Sequence, residues 1–308
     1  MARSRRRRSS ATSLPTRGSH ARGTRSVPGQ SLDLAAAAAR VAERFAGSAL
    51  RSPQDGCGHC FDERELLLLA TPDAQLTRDL AMRAAWKAHQ FDDAHGLMRR
   101  VLPSLAAAIV DREYDMGRAL RGLAQARFHT WPRSMAAPVL DLLDTWFLTT
   151  LRAPGTGAHL VLEACAAAGD GVGRWLAMWE REKTPVADAH LAQATWWWAG
   201  DCAPPSIDWL LAPEDVVPEL CAWLAGYAAE RMAAYGAPPE MVRRLRGLVP
   251  PPGSERGADE TGGDGWLGGG WLREGRLGKE GDGAEWDGAL LPRPEEWPGV
   301  RRPQGSCT

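Results

Sequence analysis

Cys57-Gly58-His59-Cys60 is the one cluster of soft ligands and nucleophiles in this chain, set after Pro53 and Gly56 and just before a helix expected to begin near Asp62. Two cysteines with two residues between them can bring both sulfurs to one side of a tight turn. From there they can share a metal ion or exchange a disulfide bond. As a metal site the motif offers Cys57, Cys60 and His59 as zinc ligands. Structural zinc takes four ligands and no second Cys-x-x-Cys exists, so His59, His89, His95 or His129 would have to complete the set.

As a redox pair, Cys-Gly-His-Cys matches the active-site tetrapeptide of protein disulfide isomerases, and a helix N-terminus just downstream would lower a thiol pKa. The thioredoxin fold delivers that motif from a β-strand, whereas here an amphipathic helix precedes it. A third reading has the cysteines pack or close the loop between the first two helices without catalysis. Without a second ligand pair or a strand before the motif, the packing role is the expectation, with zinc or thiol exchange as the alternative. The sequence offers no Gly-x-Ser-x-Gly elbow, phosphate loop, His-Glu-x-x-His or Rossmann glycine pattern. Asp141, Asp144, Glu163 and Asp170 are scattered through helical text and are expected on solvated faces.

The elements that must position these residues read as helices throughout. Apolar residues recur at spacings of three and four, and breaks fall at Pro, Gly or Asp. The expected helices cover Leu32 to Ser48, Asp62 to Ala70, Arg78 to His89 behind a Thr77 cap, and Asp92 to Val110 with a kink or split at Pro103. They continue over Met116 to Phe128 behind an Asp115 cap and over Pro132 to Arg152, whose broad apolar stripe should be central to the core. Five more follow: Thr156 to Ala168, Val172 to Lys183, Ala187 to Ala199, Glu214 to Tyr235 and Pro239 to Leu248. β-Branched residues never alternate over a run, so no strand is expected. About eleven helices without a fixed repeat make the fold class all-α, an irregular multi-helix array of bundle or α-solenoid type.

That array should occupy residues 31–249 as one domain. The basic arm 1–30 holds eight arginines and no acid, and the tail 250–308 mixes Gly, Pro and acidic residues with Trp266, Trp271, Trp286 and Trp297. Both read as disordered, because neither can bury enough apolar surface to offset ordering entropy. The 37 basic residues include the arm's eight, so 29 face 38 acidic ones elsewhere and the body is acidic. An acidic body repels nucleic acid and anionic lipid, which leaves only non-specific nucleic-acid contact through the arm. No apolar stretch follows Arg5 to Arg8 as an export signal would require, and none is long enough to span a bilayer. Sparse cysteines, with Cys165 and Cys221 in apolar helical text, suit a cytoplasmic protein.

Ten of the fourteen tryptophans lie within 31–249, among them Trp175, Trp179 and the run Trp196-Trp197-Trp198. Successive helical residues point about 100° apart, so three adjacent indoles cannot all enter one core, and at least one should stand at an edge. Many helices, many tryptophans and no catalytic set point to a binding or scaffold protein with a protein partner rather than an enzyme.

Behind Cys57 and Cys60 come Leu66 to Leu69, then Leu76-Thr77-Arg78-Asp79-Leu80, then Lys87-Ala88, then Val101-Leu102-Pro103. In that order, and with the later Trp196 to Trp198 run, the stretch from Cys57 to about Asp201 resembles an uncharacterised family of bacterial all-helical proteins with an N-terminal Cys-x-x-Cys pair. The chain departs from that pattern at His89-Gln90-Phe91, where the family has Thr-Trp-Gly, and at Ser104 to Ala107, where Arg and Glu follow the Leu-Pro step. The resemblance implies the helical fold, assigns no activity, and suggests that the two arms are additions peculiar to this protein.

Overall fold

A computed structural model describes residues 33–52, 57–111, 116–155, 157–169, 171–200 and 213–248. The two arms, the Asp115 cap and Asp170 lie outside the described residues. Twelve α-helices and no strand appear among those that are described, so the chain is an all-α multi-helix array. The helices are α1 (Leu34–Phe45), α2 (Glu63–Ala70), α3 (Arg78–Trp86), α4 (Ala94–Val110), α5 (Gly117–Gln125) and α6 (Arg133–Arg152). Then come α7 (Ala158–Ala168), α8 (Gly173–Arg181), α9 (Pro185–Gly200), α10 (Pro213–Trp223), α11 (Ala229–Tyr235) and α12 (Pro239–Arg246).

Local signals set many of the ends. Asp33 accepts the Ala36 N–H at 2.9 Å to open α1, Thr77 accepts that of Leu80 at 3.2 Å to open α3, and Asp93 accepts that of Gly96 at 2.8 Å to open α4. Gly236, at φ +93°, takes the left-handed conformation that closes α11. Met116 stands at the start of α5 with no side-chain cap, and Pro132 occupies the N-cap of α6. α3 stops at Trp86 and a 3₁₀ turn, Ala88–Gln90, takes over the last residues expected in it.

Two expectations about long helices need correction. Pro103 does not split α4, which runs unbroken through it, because one missing N–H is outweighed by burying Leu97, Met98, Val101, Leu102 and Leu105. The stretch expected as one helix from Glu214 to Tyr235 is interrupted by a π-helical turn at Leu224–Ala228 that joins α10 to α11.

α1 packs on α4 and α6; α3 packs on α4 and α5; α5 lies along α7. α6 touches α1, α7, α8 and α9, the central place its apolar stripe requires. α7 is buried still more completely: nine of its eleven residues are inside, Glu163 is partly buried, and only Leu160 is exposed. Small residues bring α3 and α5 close. A Cβ on Gly122 would stand 2.4 Å from the Ala85 carbonyl oxygen and 2.7 Å from Met98 Sδ, so only glycine fits there.

Long arginines tie loops to this frame. Arg100, buried on α4, donates to the carbonyls of Leu68 and Ala74 and so anchors the α2–α3 connection. Arg231 on α11 donates to the Trp179 and Glu182 carbonyls at 3.1 and 2.8 Å, to Tyr227 Oη at 2.9 Å, and pairs with Asp188 at 2.5 Å. It thereby caps the C-terminal end of α8 and fixes the first turn of α9.

Candidate functional site

Cys57 and Cys60 sit on the turn that leads into α2. The Cys57 carbonyl accepts the N–H groups of Cys60 at 3.0 Å and Phe61 at 3.1 Å, which closes the turn. Asp62 then accepts the Glu65 N–H at 2.7 Å while Glu65 accepts the Asp62 N–H at 3.2 Å, a reciprocal cap that fixes where α2 begins. Arg83 from α3 locks the turn from beneath. Its guanidinium donates to the Cys60 carbonyl at 3.0 Å, grips Glu65 at 2.5 and 3.2 Å, and lies 5.2 Å from the centre of the Phe61 ring. Phe61 is buried against Phe91. Cys60 consequently packs on the core edge, while Cys57 is partly buried outside that core.

The two thiols are free and unlike. Hydrogen bonds from the His59 and Cys60 N–H groups, then from the Cys60 thiol, hold Cys57 below the ordinary thiol pKa. The same thiol–thiol bond, with desolvation, pushes Cys60 above it. Lys87 lowers both. At the α2 N-terminus itself the group that accepts the helix N–H is the Asp62 carboxylate.

His59 and His129 are exposed, His89 faces the Gln125 amide at 3.5 Å, and His95 stacks on Trp131 at 4.7 Å between ring centres. Among the described residues no group of three His, Cys, Asp or Glu side chains gathers to hold a metal.

The second cluster was not legible as a site. α7 presents His159 and Glu163, one turn apart, to α9. His159 is buried and stacks on Trp197 at 6.1 Å, with its Nδ1 without a partner. Burial, aided by repulsion from His190, depresses its pKa to about 4. His190, also buried, bonds the Ala153 carbonyl through Nε2 at 2.9 Å and leaves Nδ1 unpaired. Glu163 corrects the expectation of a solvated face: it is partly buried, and its carboxylate accepts the Trp198 indole N–H at 2.8 Å. Desolvation outweighs that bond and raises its pKa to about 7. Asp141 is exposed as expected and pairs with Arg40, whereas Asp144 is mostly buried in a two-bond pair with Arg174.

The tryptophan run divides as helical geometry demands. Trp198 is buried against Trp179, Trp196 is partly buried, and Trp197 is 50% exposed, with Trp196 edge-on to it at 4.9 Å. Leu160, beside His159 on α7, is 42% exposed. A pocket of about 250 Å³ opens between Lys183, Asp188, Arg231, Ala234 and Tyr235. The Arg231 donors are already spent on the helix ends and Asp188, so its wall is a structural clamp.

No protein-family model, curated protein or solved structure matches this chain. No helix among the described residues is long and apolar enough to cross a membrane.

Proposed function

We propose that this is a helical binding or scaffold protein whose partner docks on the α7–α9 face centred on Trp197. The observation that carries this reading is a half-exposed indole held rigidly on His159 and Trp196, with exposed Leu160 on the adjoining helix. A large aromatic with few internal freedoms gives contact area at small entropic cost, which is why such residues dominate binding surfaces. Affinity capture with the full chain tests it against a Leu160→Ser, Trp197→Ser variant of unchanged helicity. A protein retained by the wild type and lost from the variant supports the reading; equal retention, or no retained protein, contradicts it.

A second reading is thiol exchange at Cys57 and Cys60, favoured by their free state, their mutual hydrogen bond and their opposite pKa displacements. A reducing compartment such as the cytoplasm suits such a pair.

A further inference from the structure

Trp86, at the end of α3, is 39% exposed and carries two cations on its ring: Lys87 Nζ stands 4.5 Å and the Arg118 guanidinium 5.3 Å from it. Lys87 follows Arg83 by one helical turn, its N–H bonded to the Arg83 carbonyl, and Arg83 donates to the Cys60 carbonyl, so Lys87 and the cysteine turn lie on the same side of α3. Nearby carboxylates are engaged elsewhere. Glu65 is gripped by Arg83, Asp79 leans on Arg83, and Asp62 caps α2. Neither Lys87 nor Arg118 forms an ion pair with a carboxylate among the described residues. The ring and its two cations make a flat cationic stacking surface.

The two sulfurs are also placed unequally. Cys60 packs on the core and its main chain is pinned by Arg83 and by the turn, whereas Cys57 stands at the outer end of the same turn. An incoming disulfide meets Cys57 first. The bond that the Cys60 N–H donates to the Cys57 carbonyl closes the turn between the two residues and keeps Cys60 close enough on it to act as the resolving thiol.

Resting on the thiol-exchange reading above, we propose that Cys57 attacks small anionic disulfides, that Cys60 resolves the adduct, and that the Trp86–Lys87–Arg118 surface selects the negative charge. The Cys57 thiolate forms a bond to one sulfur of RSSR and expels RS⁻, giving a mixed disulfide. The Cys60 thiol surrenders its proton to the departing thiolate, attacks the Cys57 sulfur and expels the second RS⁻, which takes up the proton first lost by Cys57. Two thiols are oxidised to one internal disulfide, and RSSR is reduced to two RSH.

The experiment uses the reduced full chain with three probes: 3,3′-dithiodipropionate (anionic), bis(2-hydroxyethyl) disulfide (neutral) and cystamine (cationic). Products are acid-quenched and read by mass spectrometry, and rates are normalised to those of N-acetylcysteine. The expected result is an internal Cys57–Cys60 disulfide formed by the anionic probe about three-fold faster than by the neutral one, as an exposed charge contact allows. Cystamine should be slower than either, and the preference should fade at high salt and in Lys87→Gln. Cys60→Ser should accumulate a mixed disulfide on Cys57, and Cys57→Ser should react about ten-fold more slowly than wild type. Equal normalised rates for the three probes, or an anionic preference that survives Lys87→Gln, would overturn the recognition while leaving thiol exchange intact. A Cys57→Ser variant as fast as wild type overturns the assignment of roles. No internal disulfide with any probe overturns the thiol-exchange reading itself.

Discussion

Around the cysteine turn, the charged side chain that packs closest is fully partnered, since Arg83 reaches a carbonyl, two carboxylates and a ring at once. Across α7 and α9, by contrast, His159, His190 and Glu163 are withdrawn from water with at most one hydrogen-bond partner each. Partnering lets the first region keep its charges and present a sulfur at the surface. In the second, desolvation drives His159 and Glu163 toward their uncharged forms. The difference is one of partnering: charge is kept at the cysteine turn and suppressed between α7 and α9.

The largest effect should come from the packed region. Trp179 is fully buried against Phe147, Trp198 and Trp223, and its indole donates to the Ala187 carbonyl at 3.2 Å. Trp179→Ala should cost about 3 to 5 kcal/mol in denaturant unfolding. A cost below about 1 kcal/mol would mean that α8 and α9 are not packed as described.

Glu163 sharpens the contrast through pH. Its folded pKa of about 7 lies above the ordinary 4.5, so between those values the folded chain keeps a proton that the unfolded chain has released. Stability therefore falls as pH rises from about 4.5 to 7, and the loss is complete above 7. His159 runs the other way: with a folded pKa of about 4 against 6.5, it removes stability as pH falls from 6.5 to 4. The two slopes oppose each other between roughly pH 4.5 and 6.5, so wild type should show little dependence there. Glu163→Gln keeps an acceptor for Trp198 and loses the charge. Denaturant midpoints should show it more stable than wild type at pH 8, by up to about 3 kcal/mol, and more dependent on pH between 4.5 and 6.5. A variant less stable at pH 8 would show that the carboxylate is favourably solvated or paired.

The smallest expected effect lies at the turn. Arg83 is one-third exposed, so its bond to Glu65 is screened, and Arg83→Met should cost about 1 kcal/mol by thermal unfolding. It should also speed proteolysis of the turn ahead of α2, because the Cys60 carbonyl loses its anchor. An unaltered cleavage rate would separate the turn's rigidity from Arg83.

Features governed by near neighbours were legible in the sequence. Asp62 and Thr77 act on N–H groups three residues away, and the division of Trp196 to Trp198 follows from helical rotation alone. What escaped depends on distant partners. Glu163 is buried only because α9 brings Trp198 onto it, 35 residues later, and Arg231 finds its carbonyls 49 and 52 residues earlier. Pro103 misled because local propensity favoured a break, while the buried face of α4 is a tertiary property. At the cysteine turn, spacing gave the proximity of the sulfurs; their inequality needed Arg83, Phe61 and the core edge to be in place.

If reactivity belongs to the cysteine turn and the interior behind α7 is closed to reagents, the thiols on α7 and α10 should differ sharply from Cys57. Cys165, on α7, is fully buried with its thiol directed at the Leu143 carbonyl and its pKa well above the ordinary value; Cys221 on α10 is partly buried and also raised. A time course of iodoacetamide labelling on the native full chain at pH 7.5, resolved by peptide mass, compares them directly. Among these three, Cys57 should be modified first, Cys221 far more slowly, and Cys165 only after unfolding. Labelling of Cys165 or Cys221 as fast as Cys57 would contradict the account.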